Sequence, residues 1–183
     1  FTPELAARCA AEGVEGVFDL LDMEDDARRE LLTLSDSQLE DVALVANRYP
    51  SIELSFELQD QDDIVAGDSV TLAVSMEREL EEGGLGPVDA PRYPKQKDEA
   101  WWLVVGDPKS GSLVAIKRVP LQMRSRVKLE FPAPPAAGAH AYTLFFMCDS
   151  YMGADQEYPV EFTVLEGDGD EGDEEGGAAP MEA

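Results

Sequence analysis

Cysteine is nearly absent from this chain: two in 183 residues, Cys9 and Cys148, far apart. A secreted scaffold stapled by bridges needs more of them in closer company, so both are expected to be buried, reduced thiols of a cytosolic or nuclear protein. Histidine is scarcer still. His140 stands alone, and no Cys/His set of zinc spacing can be assembled around it. Long apolar runs are missing as well; nothing approaches the roughly 18 residues a membrane helix requires. There is no initial methionine and no basic, apolar leader, and a start at Phe1, directly inside a helical pattern, is expected of a piece of something larger. Positive charge is the last shortage: 14 Lys and Arg stand against 39 Asp and Glu, a net charge of −25. Eight of the acids lie between Glu166 and Glu182, where no Lys or Arg occurs, so the body carries about −17. Such a surface repels a phosphate backbone, which proteins bind through Lys and Arg contacts that release counterions. Outside whatever a local basic patch could hold, nucleic acid is not the expected ligand. Basic protein surfaces are better partners, steered at long range and weakened by salt.

What is present is a core and two different periodicities. The apolar fraction, 44%, is that of a globular protein. Residues 1–48 read as helical. Thr2-Pro3-Glu4 offers an N-cap, a proline at the first helical position and an early acid. Gly13 and Gly16 interrupt the pattern, leaving Val14, Val17, Phe18, Leu20 and Leu21 for a second short helix. Ala27, Leu31 and Leu32 belong to a third. Ser35 with Gln38 forms a capping box for a fourth, whose Leu39, Val42, Ala43 and Ala46 recur at helical spacing. Helices this short must pack on one another or on a neighbour. Pro50 pushes Tyr49 out of the helical region, and the period changes to two. Ile52 to Leu58, Val70 to Met76, Trp101 to Val105, Leu113 to Val119, Val127 to Phe131, Tyr142 to Met147 and Tyr158 to Val164 are seven strands with turn signals between most of them. The fold class is therefore α+β: a helix-loop-helix module, residues 1–48, followed by a seven-stranded immunoglobulin-like or fibronectin type III-like sandwich, residues 49–166. Residues 79–99 form a connection too long for a simple hairpin. Residues 167–183, nearly all Gly, Asp, Glu and Ala, are expected to be a disordered acidic tail.

No chemistry emerges from the motifs. Gly83-Gly84-Leu85-Gly86 lacks the Lys-Ser/Thr ending of a phosphate loop and no helix follows it. Asp168 to Asp173 imitates a calcium loop without flanking helices. His140, after Ala-Gly-Ala in an expected turn, has no nucleophile assigned to it. With so many acids, adjacent carboxylates carry no information. Gly13-Val14-Glu15-Gly16 faintly resembles the turn by which some helical hairpins donate amides to DNA phosphates, but Glu12, Glu15 and Asp19 oppose that use. No catalytic, cofactor or metal residue is assigned.

The candidates that remain are aromatic and apolar. Trp101 and Trp102 are adjacent on a strand, so their rings face opposite ways. One is expected in the core and the other on the second face, where a neighbouring element or a partner must cover it. Phe145 and Met147 pose the same question. Exposed apolar surface of this kind marks an interface, so Trp101, Trp102, Phe145 and Met147 are the candidate partner-contact residues.

Several segments also match a known pattern. Asn47-Arg48-Tyr49-Pro50, Gly86-Pro87-Val88, Trp101-Trp102-Leu103-Val104-Val105-Gly106-Asp107, Ile116-Lys117-Arg118 and Phe131 to Tyr158, above all Phe145 to Glu157, resemble the helicase-associated unit first named after the translocon protein Sec sixty-three. The resemblance covers nearly the whole chain apart from the tail. The copy it resembles is the C-terminal one of large spliceosomal RNA helicases of the U-five particle, motors that unwind paired U-four and U-six RNAs. It implies a helix-loop-helix before an immunoglobulin-like or fibronectin-like sandwich, acting as a catalytically quiet protein-interaction platform. The residues that bind ATP and magnesium and unwind RNA would lie outside these 183 positions. Implied partners are the large scaffold protein and other spliceosomal factors, with the rest of the helicase in cis, and the implied location is nuclear. The acidic extension agrees with a true C-terminus. Two alternatives stay open: the same unit in a transcription-coactivator or DNA-repair helicase, and a direct RNA-binding module. The translocon protein itself is opposed by the missing membrane segment.

Overall fold

The computed structural model describes residues 1–79 and 85–167, and among these four helices precede seven strands. Helix α1 (Pro3–Ala11) starts where Thr2 Oγ1 accepts the Leu5 amide at 3.3 Å. The chain turns at Gly13, whose φ of +79° only glycine adopts without cost. Val14 is not helical; it closes that turn, its amide on the Cys9 carbonyl at 2.9 Å. Helix α2 (Val17–Asp22) and helix α3 (Asp25–Leu32) follow. Helix α4 (Asp36–Ala46) begins at the expected capping box, with Ser35 Oγ accepting the Gln38 amide and Gln38 Oε1 accepting the Ser35 amide.

Two arginines fix these short helices by capping one another's ends. Arg28 donates to the carbonyls of Leu20, Leu21 and Met23 at 2.9, 3.1 and 2.6 Å, satisfying the orphan acceptors at the end of α2. Arg8 reaches from α1 to the Leu32 carbonyl at 2.7 Å and does the same for α3. Beneath them Leu5, Cys9, Leu20, Leu31 and Leu32 form a small buried cluster.

The strands are β1 (Ser51–Leu58), β2 (Ser69–Glu79), β3 (Trp101–Asp107), β4 (Ser112–Val119), β5 (Arg124–Pro132), β6 (Gly138–Cys148) and β7 (Gln156–Val164). All pairings between them are antiparallel, in a three-stranded sheet β1-β2-β5 and a four-stranded sheet β4-β3-β6-β7. This is the expected immunoglobulin-like, fibronectin type III-like sandwich. Its core is the alternate row of every inner face: Val70, Leu72 and Val74 from one sheet meet Leu103, Val105, Leu144 and Phe146 from the other. Trp101 is fully buried and stacks on Phe146 with ring centres 4.5 Å apart.

Strand β6 runs further than its apolar stretch suggests. It starts at Gly138, opposite Val164, which places His140 inside a strand rather than in a turn. There His140 Nε2 lies 2.8 Å from the Ala136 carbonyl and its ring stacks on Phe162. The expected disordered tail, from residue 168 on, and residues 80–84 of the long connection lie outside the described residues.

Candidate functional site

The register of the four-stranded sheet decides where the four candidate residues go. Trp101 is on the inner face and fully covered, so no partner can touch it, and it leaves the candidate set. Trp102, Phe145 and Met147 lie together on the outer face: Trp102 opposes Met147, and Val104 opposes Phe145, across the β3–β6 pair. On the other side of β3, Trp102 opposes Arg118 and Val104 opposes Ile116. The Arg118 guanidinium stands 6.0 Å from the Trp102 ring centre, within cation–π range. Gly106 makes room for Phe145, since a Cβ there would come within 3.3 Å of its ring. Met147 is 41% exposed and Ile116 55%, while Trp102, Val104 and Phe145 are half-buried, so the face is a partly exposed apolar surface bounded by a cation.

Ile116 and the still more exposed Leu113 were not foreseen as part of this surface. Alternation marks a strand, but it does not say which strand ends a sheet. The only hint was the isolated basic pair Lys117-Arg118 beside an apolar residue.

A second set of residues converges at the joint between helices and sandwich. Arg48 donates to the Pro87 carbonyl at 2.9 Å, and Tyr49 Oη donates to the Met152 carbonyl at 3.2 Å. Tyr49 packs edge-on against both Phe18 of α2 and Tyr151, with centroids 5.5 and 4.9 Å apart. Burial raises the phenol pKa of Tyr49 and of Tyr151. The segments that carry the family resemblance, around Arg48-Tyr49, Gly86-Pro87 and Tyr151-Met152, therefore meet in space at this joint. Beside it runs an apolar groove of about 740 Å³, lined by Phe1, Cys9, Val14, Val17, Val45 and Met152 among others.

The end of the long connection is fastened by two polar clusters. Arg78, at the end of β2, is buried; its Nε donates to the Gln122 carbonyl at 3.0 Å and its Nη2 pairs with Glu99. Glu99 also accepts the Trp101 indole N–H at 3.0 Å. Next to it, Asp149 takes the Ala100 amide at 2.9 Å, the Lys97 ammonium at 2.6 Å and the Ser150 hydroxyl at 2.6 Å. Burial pushes the Asp149 carboxyl up, but these three donors outweigh it and hold the group below its ordinary value of 3.8. The folded chain therefore binds this proton less readily than the unfolded chain. The contribution of Asp149 is complete above that ordinary value and disappears as pH falls through the lower, folded value. Asp149→Asn is accordingly expected to lower the melting temperature most at neutral pH, where the contribution is complete, and least at low pH, so that the acid limb of the profile becomes flatter. An identical acid limb in the variant would show that Asp149 is not the group responsible.

The thiols are not poised for reaction: Cys9 is buried, and burial pushes the Cys148 thiol up. Among the described residues, no three His, Cys, Asp or Glu side chains are grouped to hold a metal. The turn between α1 and α2 is also spoken for. The Glu15 and Gly16 amides, the ones a phosphate would need, both donate to Asp19 Oδ2, at 2.9 and 2.8 Å. What this molecule presents is surface: an apolar sheet face, an aromatic joint and a groove.

A family model described as the Sec63 Brl domain matches residues 8–161. The U5 small nuclear ribonucleoprotein 200 kDa helicase of Homo sapiens is 53% identical over 170 residues, 93% of this chain and 8% of that protein. A DExH-box ATP-dependent RNA helicase of Arabidopsis thaliana, DExH13, is 51% identical over 172 residues, 92% of this chain and 8% of that protein. The pre-mRNA-splicing factor brr2 of Schizosaccharomyces pombe is 43% identical over 168 residues, 91% of this chain and 8% of that protein. This chain thus spans about 8% of the length of these curated relatives.

Proposed function

The chain belongs to the Sec63 Brl domain family, and from that premise we propose that it is a non-catalytic protein-interaction platform of a spliceosomal RNA helicase. In this reading residues 1–48 are the helix-loop-helix module, residues 49–166 the sandwich and residues 167–183 an acidic tail. The helicase would unwind the U-four/U-six duplex, with ATP and magnesium bound elsewhere in the same protein. The setting is nuclear, and the partners are the large scaffold protein, other spliceosomal factors and the rest of the helicase.

The observation that carries the proposal is the near-complete coverage of this chain by a U5 small nuclear ribonucleoprotein helicase and a pre-mRNA-splicing factor. The geometry supplies a surface for the role. Trp102, Phe145 and Met147, with Val104 and Ile116, make one partly exposed apolar face, and large aromatic side chains at the centre of such a face are where binding energy concentrates. Immobilised chain is expected to recover U-five proteins from nuclear extract at low and moderate salt. Trp102→Asp with Met147→Glu should reduce that recovery by about tenfold or more, the loss typical of charging an interface centre, and leave the melting temperature nearly unchanged. Recovery of no splicing protein in either salt would overturn the assignment. Undiminished recovery by the double variant would move the interface off this face.

A further inference from the structure

Sandwich sheets are ordinarily apolar inside and polar outside, and the outer face of β4-β3-β6-β7 departs from that along its two central strands. Trp102 and Val104 of β3 lie opposite Met147 and Phe145 of β6, and Ile116 of β4 extends the second of these rows. Both central strands are thus apolar on each side, the pattern of strands covered twice. The other sheet covers the inner side, while on the outer side Met147 and Ile116 stay exposed. The two margins of this face carry opposite charge. On the β4 side Arg118 lies opposite Trp102 and stands over its ring. On the β7 side Glu157 lies opposite Phe145, and Glu161 opposite Ala141. All three charged side chains are exposed. Among the described residues none of them has an opposite charge at ion-pair distance.

We propose that this face takes an amphipathic helix of a partner protein, laid along β3 and β6 as a third layer with basic side chains over Glu157 and Glu161 and acidic ones over Arg118. Helical occupancy presupposes that the face is an interface, as already proposed. An added strand needs a free edge to pair with, and β3 and β6 are both central in their sheet. A helix satisfies its own main-chain groups and can lie on the face without pairing. The dimensions agree. Three strand spacings of about 4.8 Å separate β4 from β7, roughly 14 Å, and a helix with its side chains is about 10–12 Å across. The charged margins therefore flank a helix seated on the apolar strip, within reach of its outer side chains. Along the strands, the outer row of β6 from Ala141 to Met147 runs roughly 20 Å at about 3.3 Å per residue. A helix of about 13 residues covers that length. A second copy of this chain would bring its own Arg118 toward Glu157, but each copy carries −25, and like net charges of that size hold copies apart. Glu157 and Glu161 likewise oppose a phosphate backbone.

The test is fluorescence anisotropy on the full chain with a labelled, side-chain-stapled helix of about 13 residues, bearing a stripe of Leu, Lys along one flank and Glu along the other. Three comparison probes complete it: the same residues with the stripe scrambled, an extended peptide of alternating Val and Thr, and oligouridine. The amphipathic helix is expected to bind and the other three to bind far less. Arg118→Glu should lower its affinity by about tenfold, as reversing a close charge pair does. A helix whose Glu flank is changed to Lys should recover that loss on the Arg118→Glu chain. Glu157→Lys with Glu161→Lys should show the reciprocal loss, recovered by a helix whose Lys flank is changed to Glu. These positions are exposed, so the melting temperature should hold. Absence of helix binding, equal binding of any comparison probe, or losses that the exchanged flanks do not recover would each overturn the proposal. So would a dimer in sedimentation that the helix does not dissociate, since a second copy would then hold the face. If no helix binds while Trp102→Asp with Met147→Glu still reduces recovery of U-five proteins, the interface stands and its helical occupant falls. If the helix binds with recovery but nuclear extract yields no splicing protein, the helical site stands and the spliceosomal setting falls.

Discussion

Replacing Trp101 by alanine is expected to destabilise this protein by about 3–5 kcal/mol, while the same change at Trp102 costs about 1 kcal/mol or less. The two residues are chemically identical neighbours, so the contrast isolates the sheet face. Trp101 is fully buried, stacked on Phe146, with its indole N–H satisfied by Glu99. Its removal opens a cavity in a close-packed interior and strips Glu99 of one donor. Trp102, half-buried on the outer face, loses its contact with Arg118 and some packing there, but its removal opens no enclosed cavity in the core. Urea denaturation of the two variants, with equal m-values, measures the difference. Small and equal losses would mean that the face assignment is wrong.

The second large effect is expected at Arg78. Arg78→Ala should cost about 3–5 kcal/mol, because it leaves the largely buried Glu99 carboxylate without its counter-charge and the Gln122 carbonyl without its donor. Burial lowers the Arg78 pKa from its ordinary value, the mark of a charge taken out of water. Arg78→Met combined with Glu99→Gln removes both charges and keeps an acceptor for the Trp101 indole. That double variant is expected to be more stable than Arg78→Ala alone, since a neutral pair leaves no buried charge unmatched. Equal losses in the single and double variants, read from urea midpoints, would show that packing and not charge matters at this position.

Much of this was legible from the residues alone because each rule involved is local. The capping box at Ser35, the break at Pro50 and the strand patterns, alternating in most and continuously apolar at Trp101–Val105 and Tyr142–Met147, each depend on a few adjacent residues. That one of Trp101 and Trp102 must face the core follows from the pleat. Which one does so required the sheet pairing. The extent of β6 was misjudged at His140 because Gly138 and Ala139 have weak strand preference and are held there by Thr163 and Val164 across the ladder. The outer-face contributions of Leu113 and Ile116 depend on β4 ending its sheet, a property of topology and not of pattern. The joint was also hidden, because it joins Arg48 to Pro87 and Tyr49 to Met152 over long stretches of chain.

That joint also ranks the two parts in the order they can form. Five buried side chains hold the helices together, too few to keep helices of six to eleven residues folded in water by themselves. The sandwich has a continuous core of its own, so it can form first and serve as a template. The aromatic ring of Tyr49, wedged between Phe18 and Tyr151, is then where helical order is seeded from an already finished surface. Damage to the sandwich would melt the helices as well, whereas damage confined to the helices would leave the sandwich standing.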